Sequence, residues 1–258
     1  MPNKLMTQLT IVTHYGNKPP FLANLIFMLQ TQLADSLGAA FIPYEMEQVH
    51  GTIIGLEVIV TDKGLVNKWF KENLKRDENV DIAGLLEFVR SDRIGEISVR
   101  IGGWKPHKDY GFESKNQHPY LRSFSFRGAI AVTMGWPVEK AKYCESLYNL
   151  RKRFEEFKFF HKHNKDGYKD NDFFFVLGCI SKKQVNPTLL QQTATEMRLI
   201  LSGIERTVSI SKDTLSIVAY IDTQLPVTTS EAFSINDKAL TTQLVERLYK
   251  QNIIFRSR

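Results

Sequence analysis

The sequence has little cysteine and no long apolar run. Its 258 residues include two cysteines, Cys144 and Cys179, which are too few for a disulfide framework and lack the companion ligands of a zinc site. No window approaches the roughly 20 apolar residues that a membrane span needs, and the first residues lack the apolar core of a signal peptide. We therefore expect a cytoplasmic protein without a membrane segment.

The common phosphate-binding and nucleophile motifs are missing as well. The sequence contains no Gly-x-x-x-x-Gly-Lys-Ser/Thr loop and no Gly-x-Gly-x-x-Gly after a strand, and it lacks the Gly-x-Ser-x-Gly elbow of α/β-hydrolases. His161-x-His163 has no further ligands at metal spacing. These absences argue against the corresponding enzyme classes, and we expect neither a cofactor nor a metal ion.

The composition is that of a globular protein with a modest positive charge. Hydrophobic residues make up 43% of the chain and the net charge is +6, which suits a phosphate-bearing ligand without requiring one. No Ser/Gly linker or low-complexity segment divides the sequence. We expect a single domain over residues 1–258, with two lobes at about 1–120 and 121–258.

Apolar periodicity predicts strands and helices that recur in both halves of the chain. The predicted strands are residues 9–15, 49–60, 94–101, 122–134, 173–180, 208–211 and 215–222. The predicted helices are residues 20–37, 81–90, 137–157, 188–201 and 239–250, and residues 104–120 form a long polar loop. Many of the strands alternate between apolar and polar residues, which favours antiparallel or mixed sheets with helices outside, an α+β fold.

The triplet His50-Gly51-Thr52 lies in one of these strands. Side chains at positions i and i+2 of a strand leave the same face, so the imidazole of His50 and the hydroxyl of Thr52 should project together. The alternative is a structural histidine that satisfies its hydrogen bonds inside an apolar strand. The triplet alone does not separate these two interpretations.

The order of elements around this triplet resembles the two-histidine (2H) phosphoesterase superfamily, the fold of the 2′-5′ RNA ligase and cyclic phosphodiesterase-like proteins. The resemblance covers residues 8–225 in element order. It is specific in three short segments: V-H-G-T-I-I-G-L, D-F-F-F-V-L-G-C-I and D-T-L-S-I-V-A-Y-I-D. It implies a two-lobed fold around a cleft, a phosphodiester ligand, His50 as an acid/base and Thr52 as a donor to phosphate oxygens.

The second motif of the family is degenerate in this sequence. The resemblance implies His-x-Thr-Leu-Gly there, but Phe174 and Val176 occupy the histidine and threonine positions. Two proton-transfer groups serve the family reaction, and each is typically worth about 10²- to 10⁴-fold. Candidate replacements are the loop residues His161 and His163 and two hydroxyls on a later strand, Thr214 and Ser216. Each also has an ordinary interpretation, as a solvated loop histidine or a common strand hydroxyl.

Basic residues between positions 122 and 165 alternate with phenylalanines. This pattern suits a phosphate-backbone surface with stacking rings. The alternative, which we favour, is that the phenylalanines are core residues with the charges on the outer face. We except Arg122 and Arg127, which flank a strand that could face the cleft, as candidate phosphate ligands.

Three hypotheses about function remain open at this stage. The first is a divergent 2H phosphoesterase, a hydrolase acting on a cyclic nucleotide, a 2′,3′-cyclic phosphate or an RNA end. The second is a catalytically inactive nucleotide- or RNA-binding or protein-interaction module on the same fold. The third is a purely structural interaction protein. Phe174 and Val176 favour binding, whereas His161 and His163 favour catalysis.

Overall fold

The computed structural model describes residues 7–62, 64–164, 168–181 and 185–250, which form an α+β fold built on antiparallel sheet. The strands of this part of the chain are β1 (Gln8–Thr13), β2 (Phe41–Pro43), β3 (Gly51–Gly55), β4 (Val58–Thr61), β5 (Gly64–Asn67), β6 (Ile97–Gly102), β7 (Phe124–Arg127), β8 (Ile130–Glu139), β9 (Lys142–Tyr143), β10 (Phe173–Ile180), β11 (Glu205–Ile210), β12 (Leu215–Tyr220) and β13 (Glu231–Ser234). The helices are α1 (Pro20–Leu37), α2 (Lys68–Leu74), α3 (Ile82–Arg90), α4 (Pro119–Arg122), α5 (Ser146–Arg153), α6 (Pro187–Ser202) and α7 (Thr242–Lys250).

Eleven of the described strands form one sheet. Its main path runs β11-β6-β8-β10-β3-β1-β12-β13, with β2, β7 and β9 paired to its sides. Strand β3, which carries Thr52, and strand β10, which carries Phe174 and Val176, are neighbours at the middle of this path. Their antiparallel pairing places Phe175 opposite Gly51.

Local sequence signals explain the main helices. Helix α1 starts with Pro20 at its first position, buries Leu22, Leu25, Ile26, Leu29, Leu33 and Leu37 along one face, and ends at Gly38. Helix α6 starts after Asn186, whose side chain accepts a hydrogen bond from the backbone N–H of Leu189 at 2.8 Å. Asp81 caps α3 in the same way through Gly84. The predictions for these three helices are confirmed.

Two predicted strands are each divided in the structure. The segment 49–60 leaves the sheet after Gly55, and β4 pairs with β5 in a separate two-stranded ribbon. The segment 122–134 contains the end of α4 and a hairpin of β7 and β8, turned at Gly128 with a φ of +60°. Apolar residues continue past both bends, so periodicity does not mark them, although Ile59 and Val60 beyond the first bend are exposed.

The helix predicted for residues 137–157 begins later than expected. Pro137 lies inside β8 opposite Val99 of β6, and α5 starts only at Ser146. A proline fits a strand where its missing N–H is not needed for the ladder. Helix α7, predicted from residue 239, also starts late, at Thr242, and Thr241 Oγ1 accepts a hydrogen bond from the Leu244 N–H at 3.2 Å.

Strands from the two halves of the sequence are intermixed in the sheet. Strand β6 lies between β11 and β8, while β12 and β13 extend the sheet beyond β1. A division into lobes near residue 120 stays a prediction. In the strand order, the strands on each side of the central β10–β3 pair come from both halves of the chain.

The two faces of the central strands have different surroundings. Phe173, Phe175 and Leu177 of β10 are fully buried in the main core with the apolar face of α1. Phe174 and Val176, on the opposite face, pack against a cluster of Trp104, Val132, Met134 and Trp136. Gly51 of β3 lies opposite Phe175 of β10. One residue further in each direction, Thr52 therefore lies beside Phe174 and His50 beside Val176, on this second face. We call it the cleft face.

None of the described helices combines the length and the apolar composition needed to cross a lipid bilayer.

Gly51, between the two motif residues, is required by the close approach of β3 to Phe173. A Cβ at position 51 would overlap the ring of Phe173, which is fully buried and has no room to move, and would lie 3.2 Å from Thr13 Cγ2. We expect Gly51→Ala to lower the free energy of unfolding by about 1–3 kcal/mol, measured by urea denaturation.

Gly203→Ala is the matched control, because its Cβ would meet only Ile200 O at 3.6 Å, an ordinary contact. That variant should stay within about 0.5 kcal/mol of the wild type. Equal stability of the two variants would contradict the packing described for β3.

Candidate functional site

His50 is held in one tautomer by its own backbone. It is buried directly before β3, and its Nδ1–H donates to the carbonyl oxygen of Gln48 at 2.7 Å. Nε2 is therefore the unprotonated nitrogen. Burial lowers the pKa of His50 to about 4, with the nearby Lys18 ammonium acting in the same direction and the Gln48 hydrogen bond opposing both. The imidazole is neutral at pH 7 and carries a lone pair that can accept a proton.

Tyr15 connects His50 to a small cavity on the cleft face. The Tyr15 ring lies edge-on to His50, with 5.8 Å between centroids, and its hydroxyl donates to the carbonyl of Leu225 at 3.1 Å. Leu225 lines a cavity of about 110 Å³. Other residues that line it are Thr10, Thr52, His161, His163, Phe174 and Tyr220. The cavity thus brings together Thr52, one second-motif position and two of the loop candidates.

His161 is buried in the loop before β10, with 4% of its surface exposed. Its Nε2 lies 2.7 Å from Asp170 Oδ2. Burial raises the pKa of Asp170, but the Arg151 guanidinium and the His161 hydrogen bond outweigh this effect and hold that pKa below its ordinary value. An ionised carboxylate only accepts hydrogen bonds, so Nε2 of His161 carries the hydrogen and Nδ1 is unprotonated.

The Nδ1 atom of His161 is buried and has no hydrogen-bond partner in the described part of the chain. Burial lowers the pKa of His161 to about 3, with Arg151 adding to the effect and Asp170 opposing it. The ring of His163 lies edge-on, with 5.4 Å between centroids, and burial lowers the pKa of His163 to about 4. Both loop imidazoles are neutral at pH 7.

Arg151 joins the His50-Gly51-Thr52 strand to this loop. It is 1% exposed, and its Nε and Nη2 donate to the carbonyl oxygens of Ile53 at 2.8 Å and Thr52 at 3.1 Å. Its Nη1 donates to the carbonyls of Asp170 at 3.1 Å and Asp172 at 3.0 Å, and lies 3.6 Å from Asp170 Oδ2. One guanidinium therefore sets the position of β3 relative to the loop.

The two arginines that we selected from the sequence have different partners. Arg122 is paired with the buried carboxylate of Asp172 at 2.7 Å, which also accepts from Trp136 Nε1 at 2.8 Å. Arg127 lies over the ring of Phe174, with 5.5 Å from Cζ to the centroid, and its Nη2 is 2.8 Å from Met134 Sδ. Burial and the charge of Arg122 lower the pKa of Arg127. Of the two, Arg127 is the one at the Phe174 position.

The hydroxyl candidates Thr214 and Ser216 lie away from the cavity. Thr214 Oγ1 accepts from Thr13 Oγ1 at 2.8 Å and donates to the Ser211 carbonyl at 3.0 Å, which closes the turn before β12. Ser216 lies opposite Val12 in the ladder. Neither is among the residues that line the cavity in the described chain.

Within the described residues, no group of three or more His, Cys, Asp or Glu side chains is arranged to hold a metal ion. His161, His163 and Asp170 lie near one another, but the hydrogen bond between His161 and Asp170 uses the groups that would otherwise be ligands. The arrangement suits proton transfer more than metal binding.

Sequence reasoning missed Arg151, Asp170 and Asp172 as parts of the site. Arg151 had been assigned to the solvated outer face with the other basic residues, and that prediction was wrong. A signal was present, because Arg151 follows Leu147 by one helical turn and so lies on the apolar face of α5. The phenylalanines between 124 and 160 are largely core residues, as we favoured: Phe124, Phe154, Phe157, Phe159 and Phe160 are buried.

Comparisons with known proteins add only a weak likeness. No family model matches the chain, and no curated protein matches it significantly. A conserved protein of unknown function from Agrobacterium tumefaciens is 14% identical, with a TM-score of 0.44 over 84% of this chain and 82% of its own. Usb1 from Kluyveromyces marxianus, solved with uridine monophosphate, is 12% identical, with a TM-score of 0.40 over 90% of this chain and 99% of its own. At these scores the likeness carries no argument about fold or function.

Replacing Arg151 tests whether it joins the two parts of the site. Arg151→Met removes the donor to four carbonyl oxygens and the cationic partner of the Asp170 carboxylate, which keeps its hydrogen bond from His161, so the free energy of unfolding should fall by about 3–5 kcal/mol. Lys152→Met, on the exposed side of the same helix, removes only a surface pair with Glu155 and should cost less than about 1 kcal/mol. Chemical denaturation of both variants measures this, and equal losses would show that Arg151 is not a buried anchor.

The lowered histidine pKa values predict acid sensitivity. Unfolded histidines bind protons below about pH 6.5, whereas folded His50 and His161 do so only near pH 4 and pH 3. Stability is therefore complete above pH 6.5 and falls as the pH drops toward 4, by about 1.4 kcal/mol per pH unit for each buried imidazole. Urea denaturation between pH 7 and 4.5 should show this slope. It should be shallower in His50→Gln, and an unchanged slope would mean that His50 is not buried in its neutral form.

Proposed function

We propose that this protein acts on a phosphodiester, as a divergent phosphoesterase of the two-histidine type, with His50 as an acid/base and Thr52 as a donor to a phosphate oxygen. The observation that carries the proposal is a cavity that Thr52 lines together with two further neutral imidazoles. His50, with its unprotonated Nε2, contacts Tyr15, whose hydroxyl is bonded to the cavity residue Leu225. A histidine with only a structural role would not require a neighbouring cavity of this composition.

The chemistry of His50 suits proton transfer. Its Nδ1–H is committed to the Gln48 carbonyl, so a proton gained or lost at Nε2 does not disturb the orientation of the ring. Lys18, whose pKa burial lowers to about 8, makes a nearby anion favourable. The Thr52 hydroxyl leaves the same face of the strand and can donate to a phosphate oxygen as negative charge develops there.

The size of the cavity limits what it can hold. At about 110 Å³ it is below the roughly 300–1,000 Å³ of sites for whole drug-sized ligands. A phosphate group with its immediate ester oxygens is therefore the part that enters, and the nucleoside or RNA chain extends over the cleft face. Lys162 at the cavity and Arg127 over Phe174 supply positive charge, against the Glu57 carboxylate that also borders the cavity.

A second candidate function is a binding module without turnover. Phe174 occupies the position of the second motif histidine and places a flat ring on the cleft face beneath the Arg127 guanidinium. A ring and a cation in this arrangement suit a nucleobase and its phosphate. We retain this candidate because the loss of one motif imidazole would reduce the rate if nothing replaced it.

The test of the proposal uses a 2′,3′-cyclic mononucleotide and a short single-stranded RNA as substrates. We expect hydrolysis by the wild type and a fall of about 100-fold or more in kcat for His50→Ala and for His50→Gln. Thr52→Val should lower kcat about 10-fold or more, because it removes one donor to the phosphate. Phe174→His with Val176→Thr should raise the rate, since it restores the second motif beside the first.

Thr195→Val, an exposed hydroxyl on α6, is the matched control and should leave the rate unchanged. Binding without turnover, weakened by His50→Ala in calorimetry, would favour the binding module. If His50→Ala lowers the melting temperature and changes neither turnover nor binding, then His50 is structural and the proposal is wrong.

A further inference from the structure

We propose that His161, positioned by Asp170, is the acid/base group that replaces the missing second-motif histidine, so that the cleft has two proton-transfer groups. This inference rests on the proposed function of the same site. It assigns the second imidazole to the loop before β10, instead of to the strand position that Phe174 occupies.

The hydrogen bonding of His161 leaves one ring nitrogen available to accept a proton. The Asp170 carboxylate accepts from Nε2–H at 2.7 Å, which leaves the lone pair of Nδ1 uncommitted. Nδ1 is buried and has no partner in the described part of the chain, and a buried polar atom without a partner is costly to fold around. His161 also borders the cavity that Thr52 and Phe174 line. A ligand atom in that cavity would satisfy Nδ1.

Arg151 holds this pair against the first motif. The same guanidinium donates to the Thr52 carbonyl at 3.1 Å and to the Asp170 carbonyl at 3.1 Å, with the Asp170 carboxylate 3.6 Å away. Because Arg151 and Asp170 are buried and the same guanidinium is bonded to the Thr52 carbonyl, the position of the imidazole is coupled to that of the Thr52 strand. Two catalytic groups must stay in register to within a fraction of an ångström, and this contact provides that constraint.

The charges around His161 fit the role of a base. Arg151, Lys162 and His163 disfavour a positive charge on His161, whereas the carboxylates of Asp170 and Glu57 favour it. When Nδ1 takes a proton, the imidazolium formed is paired directly with the Asp170 carboxylate. His163 lacks such a bond, since Asp170 Oδ2 is hydrogen-bonded to His161. His161 is therefore the better candidate of the two.

The proposed step is balanced. A water oxygen attacks phosphorus and its proton passes to Nδ1 of His161, while the bond from phosphorus to the leaving oxygen breaks and that oxygen keeps the electron pair. His50 is neutral in the free protein; when the anionic phosphate binds, it takes up a proton from solvent on Nε2 and gives that proton to the leaving oxygen. After the products leave, His161 releases its proton to solvent. The net reaction consumes one water and produces a phosphomonoester and an alcohol.

The experiment compares two phosphodiesters that differ in the leaving group. Bis(4-nitrophenyl) phosphate releases a nitrophenolate, which needs no proton, whereas a 2′,3′-cyclic mononucleotide releases an alkoxide, which does. A missing base should slow both substrates, so we expect His161→Gln to lower kcat about 100-fold on each. A missing acid should slow mainly the cyclic nucleotide, which is the result expected for His50→Gln.

Asp170→Asn tests the positioning role. It should lower kcat on both substrates by about 10-fold or more and leave KM unchanged, because the imidazole loses its carboxylate while the cavity keeps its shape. His107→Gln and Asp109→Asn, at exposed loop positions, are the matched controls and should keep the wild-type rates. Wild-type kcat in His161→Gln, with His50→Gln impaired, would overturn this inference and leave the proposed function standing. Absence of turnover by the wild type on both substrates would overturn both.

A measurement on the wild type guards against variants that fail to fold. Nitrogen-15 spectra of the histidine side chains at pH 7 should show His161 with hydrogen on Nε2 and a bare Nδ1, and inorganic phosphate should shift the Nδ1 signal. Hydrogen on Nδ1, or a signal that phosphate does not change, would contradict the proposal.

Discussion

The buried guanidinium of Arg151 is the contact on which the candidate site depends. It donates to two carbonyls of β3 and to two carbonyls of the segment that leads into β10. A buried charge is tolerated only when it is paired and fully hydrogen-bonded, and Asp170 supplies the pairing. Because Asp170 also holds His161, one charge network determines where the first motif and the loop imidazole lie.

His50 and His161 each use one ring nitrogen in a fixed hydrogen bond and leave the other bare, but the nitrogen used differs between them. His50 commits Nδ1–H to the Gln48 carbonyl and leaves Nε2 bare, whereas His161 commits Nε2–H to Asp170 and leaves Nδ1 bare. In both, burial holds the ring neutral at pH 7. A partner that accepts from one nitrogen selects the tautomer and so decides which nitrogen is available for chemistry. The arrangement gives the cleft two proton acceptors until an anion binds and makes a protonated imidazole favourable.

The aromatic cluster on the cleft face explains why Phe174 is tolerated beside the site. Phe174 packs with Val132, Met134 and Trp136, and the Trp136 indole donates to the buried Asp172 carboxylate, which Arg122 neutralises. A histidine at position 174 would place a polar ring against this apolar cluster. Phenylalanine therefore fits the packing at this position, and under the proposed function a second proton-transfer group has to come from another part of the chain.

Much of the fold followed from local signals in the sequence. Helix α1 begins at a proline and has an apolar face, and α6 begins at Asn186-Pro187. These signals depend on residues close together in the sequence, so the positions of both helices could be predicted. The bends at Gly55 and Gly128 and the strand position of Pro137 could not, because each depends on which strand lies alongside. The apolar pattern continues past both bends, so periodicity does not mark them.

For the site, the sequence by itself predicted that His50 and Thr52 project together, since side chains alternate along a strand. It also has Phe174 at the position where the resemblance implies a second histidine. Only the tertiary structure decided that His161 lies at the same cavity as Thr52, that Arg151 is buried, and that Asp170 joins them. These contacts link residues 9 to 99 positions apart. No local pattern encodes them, because the packing of β3 against β10 and α5 brings the residues together.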